Sequence, residues 1–115
     1  MTLRVRIAAC IVGGCALAAF AVSIGLAAGN VTAGRQKALM CQACHGMDGK
    51  AKIPEAPNLA GQSDIYLVKA LKDYRSGARK NDMMSLVAPA LKDRDIDDLA
   101  AYYSAIEVTV GPPPK

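Results

Sequence analysis

Beyond residue 30, apolar side chains recur every three to four positions in three stretches, and glycine and proline punctuate the segments between them. That period marks helices that bury one face. The first stretch predicts a helix over 32–40, with Thr32 as its cap and Val31, Arg35, Ala38 and Leu39 at helical spacing. It runs directly into Cys41. A second helix is predicted over 64–77. Ser63 would cap it, Ile65, Leu67, Val68, Leu71 and Tyr74 form its stripe, and Gly77 stops it. A third is predicted over 93–106. Asp93, Asp95, Asp97 and Asp98 crowd its first turns, where the helix dipole favours negative charge, and Ile96, Leu99, Ala100, Tyr103 and Ile106 form the buried stripe.

Two irregular segments lie between these helices. Residues 46–62 carry Gly46, Gly49, Pro54, Pro57 and Gly61. A loop of that length inside a small domain is usually functional. Residues 79–89 hold Met83 and Met84 and leave room for one short helical turn. Residues 109–115, with three prolines, read as a flexible tail. Neither a strand pattern nor an internal repeat is present. The expected fold class is all-α, one domain over 30–108 with long loops between its helices.

The pattern before residue 30 is of another kind. Arg4 and Arg6 precede an uncharged run from Ile7 to Gly29, and the first acidic residue of the chain is Asp48. A positive, then apolar, then small-residue order is that of an export signal, with Gly25-Leu26-Ala27 offering a cut after Ala27 and Ala27-Ala28-Gly29 a near equivalent. The run exceeds the roughly 7–15 residues of a signal core. It is also long enough to cross a bilayer, which takes roughly 20 residues. An uncleaved membrane tether through residues 7–29 is therefore the alternative to cleavage. Val12-Gly13-Gly14-Cys15 is only a faint lipoprotein site, because the apolar run continues past Cys15. Either outcome carries the domain across a membrane, soluble after cleavage or anchored through residues 7–29.

Charge and composition narrow the function. The net charge of the whole chain is +4, and Arg4 and Arg6 supply two of its 14 Lys and Arg residues against ten acids. The remainder is nearly balanced, and the chain has one Phe, four Tyr and no Trp. Nucleic-acid binding, which needs a strongly basic face, is not expected. A domain this small has a marginal core and often relies on a disulfide, a metal or a large cofactor.

The candidate chemistry is Cys41-Gln42-Ala43-Cys44-His45. C-x-x-C-H is the attachment signature of c-type haem. Two thiols one helical turn apart can add across the two haem vinyl groups as thioethers, and the adjacent imidazole is carried to the iron as an axial ligand. Other readings are weaker. A redox dithiol wants a βαβ setting, and a zinc site needs four ligands, whereas His45 is the only histidine. A plain Cys41–Cys44 disulfide would explain the cysteines but not the histidine. The second axial ligand falls to methionine, the usual partner of histidine in cytochromes c and one that raises the potential. Met40 and Met47 are too close to His45 to reach the opposite face, which leaves Met83 and Met84 equivalent on spacing.

An ordered set of further motifs accompanies the signature: Gly46-Met47-Asp48-Gly49, Pro57-Asn58-Leu59-Ala60-Gly61-Gln62, Tyr66-Leu67, the run from Gly77 to Met84, and Asp95 to Tyr103. From Gly34 to about Ile106 the chain resembles the class I cytochromes c of bacteria, of the cytochrome c4/c553-like kind. It has one such domain where cytochrome c4 has two in tandem, which makes it similar to the monohaem relatives. The resemblance implies helices and long loops wrapped around one covalently attached haem c. It implies that the Pro57 carbonyl accepts a hydrogen bond from His45, that Leu59 packs on the haem edge, and that Gly34 lies where the first helix crosses the last, near Tyr102 or Tyr103. In the family pattern Arg-x-Asn-x-x-Met the last residue is the distal ligand, here Met84. Arg79 could face a haem propionate.

Two protein ligands leave the iron no open position for a substrate, so the expected role is electron carrier and not enzyme. The expected partners are redox proteins: a membrane respiratory complex, a terminal oxidase or a periplasmic dehydrogenase. A dedicated dehydrogenase subunit is the runner-up, and a haem-based gas sensor follows. Lys69, Lys72, Arg75, Arg79 and Lys80 cluster on and after the second helix, where they could steer an acidic partner.

Overall fold

The structure is a computed structural model that describes residues 28–115. The signal or tether expected over residues 1–29 therefore lies almost wholly outside the described residues. Among those described, no helix is long and apolar enough to cross a membrane. Five α-helices follow one another: α1 Val31–Lys37, α2 Gln42–His45, α3 Asp64–Ser76, α4 Met84–Val87 and α5 Asp93–Ser104. Turns of 3₁₀ helix extend α1 through Ala38–Met40 and α4 through Ala88–Ala90. No strand occurs among the described residues, in keeping with the all-α expectation.

Helix starts depart from the sequence reading. Asn30, not Thr32, caps α1: its side-chain oxygen accepts the Ala33 N–H at 2.8 Å. Ser63 makes no side-chain cap to α3; Gln62 Oε1 accepts the Ser63 N–H instead, at 3.0 Å. The C-terminus of α3 follows expectation, with Gly77 at φ 80°, where a glycine escapes the Cβ clash of left-handed backbone. At the start of α5, Asp95 accepts the Lys92 N–H at 3.0 Å and pairs with Lys37 of α1 at 3.0 Å.

The first and last helices form the main joint. α1 crosses α5 at Gly34, where an added Cβ would lie 1.9 Å from the Asp98 carbonyl oxygen and 2.8 Å from Tyr102 Cβ. The buried Asp98 carboxylate accepts the Asn30 N–H at 2.6 Å and pairs with Arg94 at 3.2 Å. Around this joint lies a small core of Ala38, Leu67, Leu91, Ile96, Leu99, Ala100 and Tyr103. Val68 and Leu71 of α3 pack against it from one side, but Ile65 is 78% exposed and belongs to the surface. Arg75 ties α3 to the start of α5, donating to Leu91 O at 3.1 Å and to Asp93 at 2.6 Å.

The carboxylates of Asp93 and Asp95 are held below the usual range. Hydrogen bonding to Arg75 is the main cause at Asp93, and the Lys92 N–H followed by Lys37 at Asp95. A lowered carboxylate stabilises the fold above its ordinary pKa of 3.8, and the effect is lost as pH falls through the lower folded value. Asp95→Asn keeps an acceptor for the Lys92 N–H but removes the charge facing Lys37 and the helix N-terminus, and is thus expected to cost about 0.5 kcal/mol at pH 7. Its stability should also change less with pH below 4 than that of the parent. Thermal unfolding from pH 2 to 7 checks both; parallel curves would discount the Asp95 contribution.

Candidate functional site

The C-x-x-C-H segment folds as one tight turn because α1 gives way to 3₁₀ geometry immediately before it. Cys41 N–H donates to Ala38 O at 2.9 Å, and Cys41 O then accepts the N–H groups of Cys44 at 3.3 Å and His45 at 2.9 Å. Residues three apart on such a turn share a face, which puts Cys41 and Cys44 side by side. Neither forms a disulfide. Burial, with Cys44 as the second cause, pushes the Cys41 thiol up to about 11. A thiol held protonated is a poor nucleophile and a poor metal ligand, which counts against a redox dithiol. Among the described residues no group of three His, Cys, Asp or Glu could hold a metal ion by itself. A thioether has no proton to lose and suits this apolar setting.

His45 is buried, and its Nδ1 lies 2.9 Å from Pro57 O. A carbonyl only accepts, so Nδ1 carries the proton and Nε2 keeps its lone pair free. Several contacts hold the Pro57 carbonyl in reach. Asn58 Oδ1 accepts the Ala51 N–H at 2.8 Å, Lys52 N–H donates to Cys44 O at 2.8 Å, and Gly49 O accepts the N–H groups of Leu59 at 2.7 Å and Ala60 at 3.0 Å. Gly49 has φ 68°, and a Cβ there would meet the Ala60 nitrogen at 2.6 Å, so the loop can close on itself only at a glycine. Leu59 is half-buried against the core.

α5 reaches the same loop from the other side. The Tyr102 hydroxyl donates to Met47 O at 2.7 Å, and the buried Tyr103 hydroxyl to Gly46 O at 3.2 Å. The two carbonyls just after His45 are therefore fixed by the last helix. Sequence reasoning placed Tyr103 in the buried stripe and both tyrosines near the helix crossing, and gave neither hydroxyl a partner. The available signal was a hydroxyl recurring on an otherwise apolar stripe, since a buried Tyr O–H needs a partner.

Met83 and Met84 sit at the start of α4, where Asn81 Oδ1 accepts both of their N–H groups at 3.0 Å. Met84 is half-buried and Met83 is 57% exposed. Arg79 lies 4.6 Å over the Tyr74 ring and donates to the Tyr66 hydroxyl at 3.4 Å. Lys69 and Arg75 are paired with Asp73 and Asp93, so the basic group around α3 is partly neutralised by its own neighbours.

These residues fit a covalently attached haem. The two thiols share one helical turn, the imidazole offers a single lone pair, and Ile96 is the one large side chain completely buried among the described residues. Met84, at the start of α4, is half-buried, and the neighbouring Met83 and Leu86 are exposed.

Comparison with known proteins agrees. The family model for cytochrome c matches residues 31–105. Cytochrome c-554(548) of Halomonas halodenitrificans is 48% identical over 83 residues, covering 70% of this chain and all of the relative. The thiosulfate dehydrogenase electron acceptor of Stutzerimonas stutzeri is 41% identical over 70 residues, covering 60% of this chain and 32% of that protein. The structure of reduced cytochrome c4 from Pseudomonas stutzeri superposes with a TM-score of 0.67 at 40% identity, covering 73% of this chain and 49% of that one. The chain thus spans all of the first relative and about half of cytochrome c4. It belongs to the cytochrome c family, as an electron-transfer cytochrome of the cytochrome c4 kind that carries haem c covalently.

Proposed function

We propose that the chain is a periplasmic single-haem electron carrier in which His45 and Met84 are the axial ligands of the iron, and that it catalyses no reaction of its own. The observation that carries this reading is the 2.9 Å bond between His45 Nδ1 and Pro57 O. It fixes the tautomer and the ring orientation, and a carbonyl acceptor raises the basicity of the free Nε2. The bound haem supplies a one-electron ferrous–ferric couple.

The chain supplies the rest. Cys41 and Cys44 hold the group against loss, and the Tyr102 and Tyr103 hydroxyls tie the loop after His45 to α5. A methionine sulfur at the second position favours the reduced iron and raises the potential. Of the two methionines at the start of α4, the half-buried Met84 is the better placed to face inward. With both positions taken by protein, no site for a substrate remains. The proposed partners are a membrane respiratory complex or a terminal oxidase, met through a small transient interface. Likeness to a thiosulfate dehydrogenase electron acceptor favours a second reading, a carrier dedicated to one periplasmic dehydrogenase.

An optical spectrum of the holoprotein, oxidised and reduced, with and without carbon monoxide, tests the proposal. The expected result is a low-spin c-type spectrum with a weak far-red methionine–iron band and no shift with carbon monoxide. A high-spin oxidised form, or ready carbon monoxide binding, would move the assignment to a gas sensor or a catalyst.

A further inference from the structure

We infer that Asn81 is the positioning residue for the methionine ligand: it holds the backbone of Met84 in one orientation and so keeps the sixth position closed. The inference rests on the His45/Met84 reading. Asn81 directs three groups at α4. Its Oδ1 accepts the N–H groups of Met83 and Met84, both at 3.0 Å, its carbonyl accepts the Ser85 N–H at 2.9 Å, and its own N–H donates to Ser85 Oγ at 3.0 Å.

Little else could do this. α4 is a single turn of four residues with none of its side chains fully buried, and one isolated turn does not hold itself together. The segment is fastened to the fold at its two ends. Arg79 N–H donates to Asp73 O at 3.0 Å upstream, and Ala88 and Leu91 are buried downstream. Between those ends, the hydrogen bonds recorded at Met83 and Met84 run either within the turn or to Asn81. The amide is also neutral, so it orders the ligand without placing charge beside the iron. Charge at this position would alter the potential, which gives the test a second dimension.

The experiment compares Asn81→Ala with Asn81→Asp in holoprotein. Carbon monoxide binds only the fraction of reduced protein whose methionine is off the iron, so its apparent affinity reports that fraction. Loss of a cap of ordinary strength raises the fraction about fivefold. Asn81→Ala is expected to raise carbon monoxide affinity by about that factor, weaken the far-red band and speed hydrogen exchange at the Met83 and Met84 amides. Asn81→Asp, which keeps the acceptor, should restore the band and the slow exchange while lowering the potential. An Asn81→Ala protein that matches the parent in all three readouts overturns the inference, as does an Asn81→Asp protein impaired to the same degree. Should Asn81→Ala yield no holoprotein, Ser85→Ala removes only the bond from Asn81 N–H and should still raise carbon monoxide affinity; no rise would overturn the inference. Met84→Ala in parallel separates the two levels: if the far-red band survives that change, the ligand assignment has failed and not the role of Asn81.

Discussion

Alanine at Gly34 is expected to lower the unfolding midpoint of the domain by more than about 10 °C, the consequence of some 3 kcal/mol of overpacking. The added Cβ would sit 1.9 Å from the Asp98 carbonyl oxygen, which belongs to the α5 backbone. No rotamer change relieves a clash between two backbones, so α1 and α5 must move apart. Separation also weakens the Asn30 to Asp98 bond and the Lys37–Asp95 pair, which cross the same joint. Against this stands the gain of less than about 1 kcal/mol that alanine normally brings to a helix interior. Calorimetry of holoprotein decides the matter. A midpoint within a few degrees of the parent would mean that the helices do not cross at Gly34.

The largest functional effect is expected from Met84→Ala. If Met84 is the sixth ligand, its removal yields a high-spin oxidised protein, abolishes the far-red band, permits stoichiometric carbon monoxide binding and lowers the reduction potential. Met83→Ala, one residue earlier and 57% exposed, should leave all four nearly unchanged. The opposite outcome would transfer the ligand to Met83. Haem attachment should survive both changes, because Cys41 and Cys44 lie on a different turn of the chain.

Much of this molecule was legible in its sequence for a physical reason: the haem motif and the three longer helical patterns are local signals. Spacing alone marks the stripe Ile96, Leu99, Ala100, Tyr103 and Ile106; the first four are buried and Ile106, past the end of α5, is half-buried. The C-x-x-C-H signature is legible in five consecutive residues. The departures involve choices between near neighbours. Thr32 and Asn30 are both good caps, and Asn30 serves because its N–H is drawn to Asp98, 68 residues away. Ile65 fits the α3 stripe by period but lies in the first turn of the helix and stays 78% exposed. The tyrosine hydroxyl bonds to Gly46 and Met47 and the Asn81 cap on Met84 were not read at all. The first depend on how distant segments meet, and the second on a side chain whose polar group serves backbone equally well in many loops.

The joint between α1 and α5 also sets an order of events. A chain is made from its N-terminus, so Cys41 and Cys44 emerge well before the helix that will bury them; 57 residues separate Gly46 from Tyr103, whose hydroxyl holds it. Until α5 arrives, the Cys41 thiol is an accessible, ordinary thiol near 8.5. Once the terminal helices close, burial drives it to about 11. Thioether formation at Cys41 is consequently easier before the chain folds than after it. A polypeptide that closes before it is loaded has part-buried a sulfur it still needs.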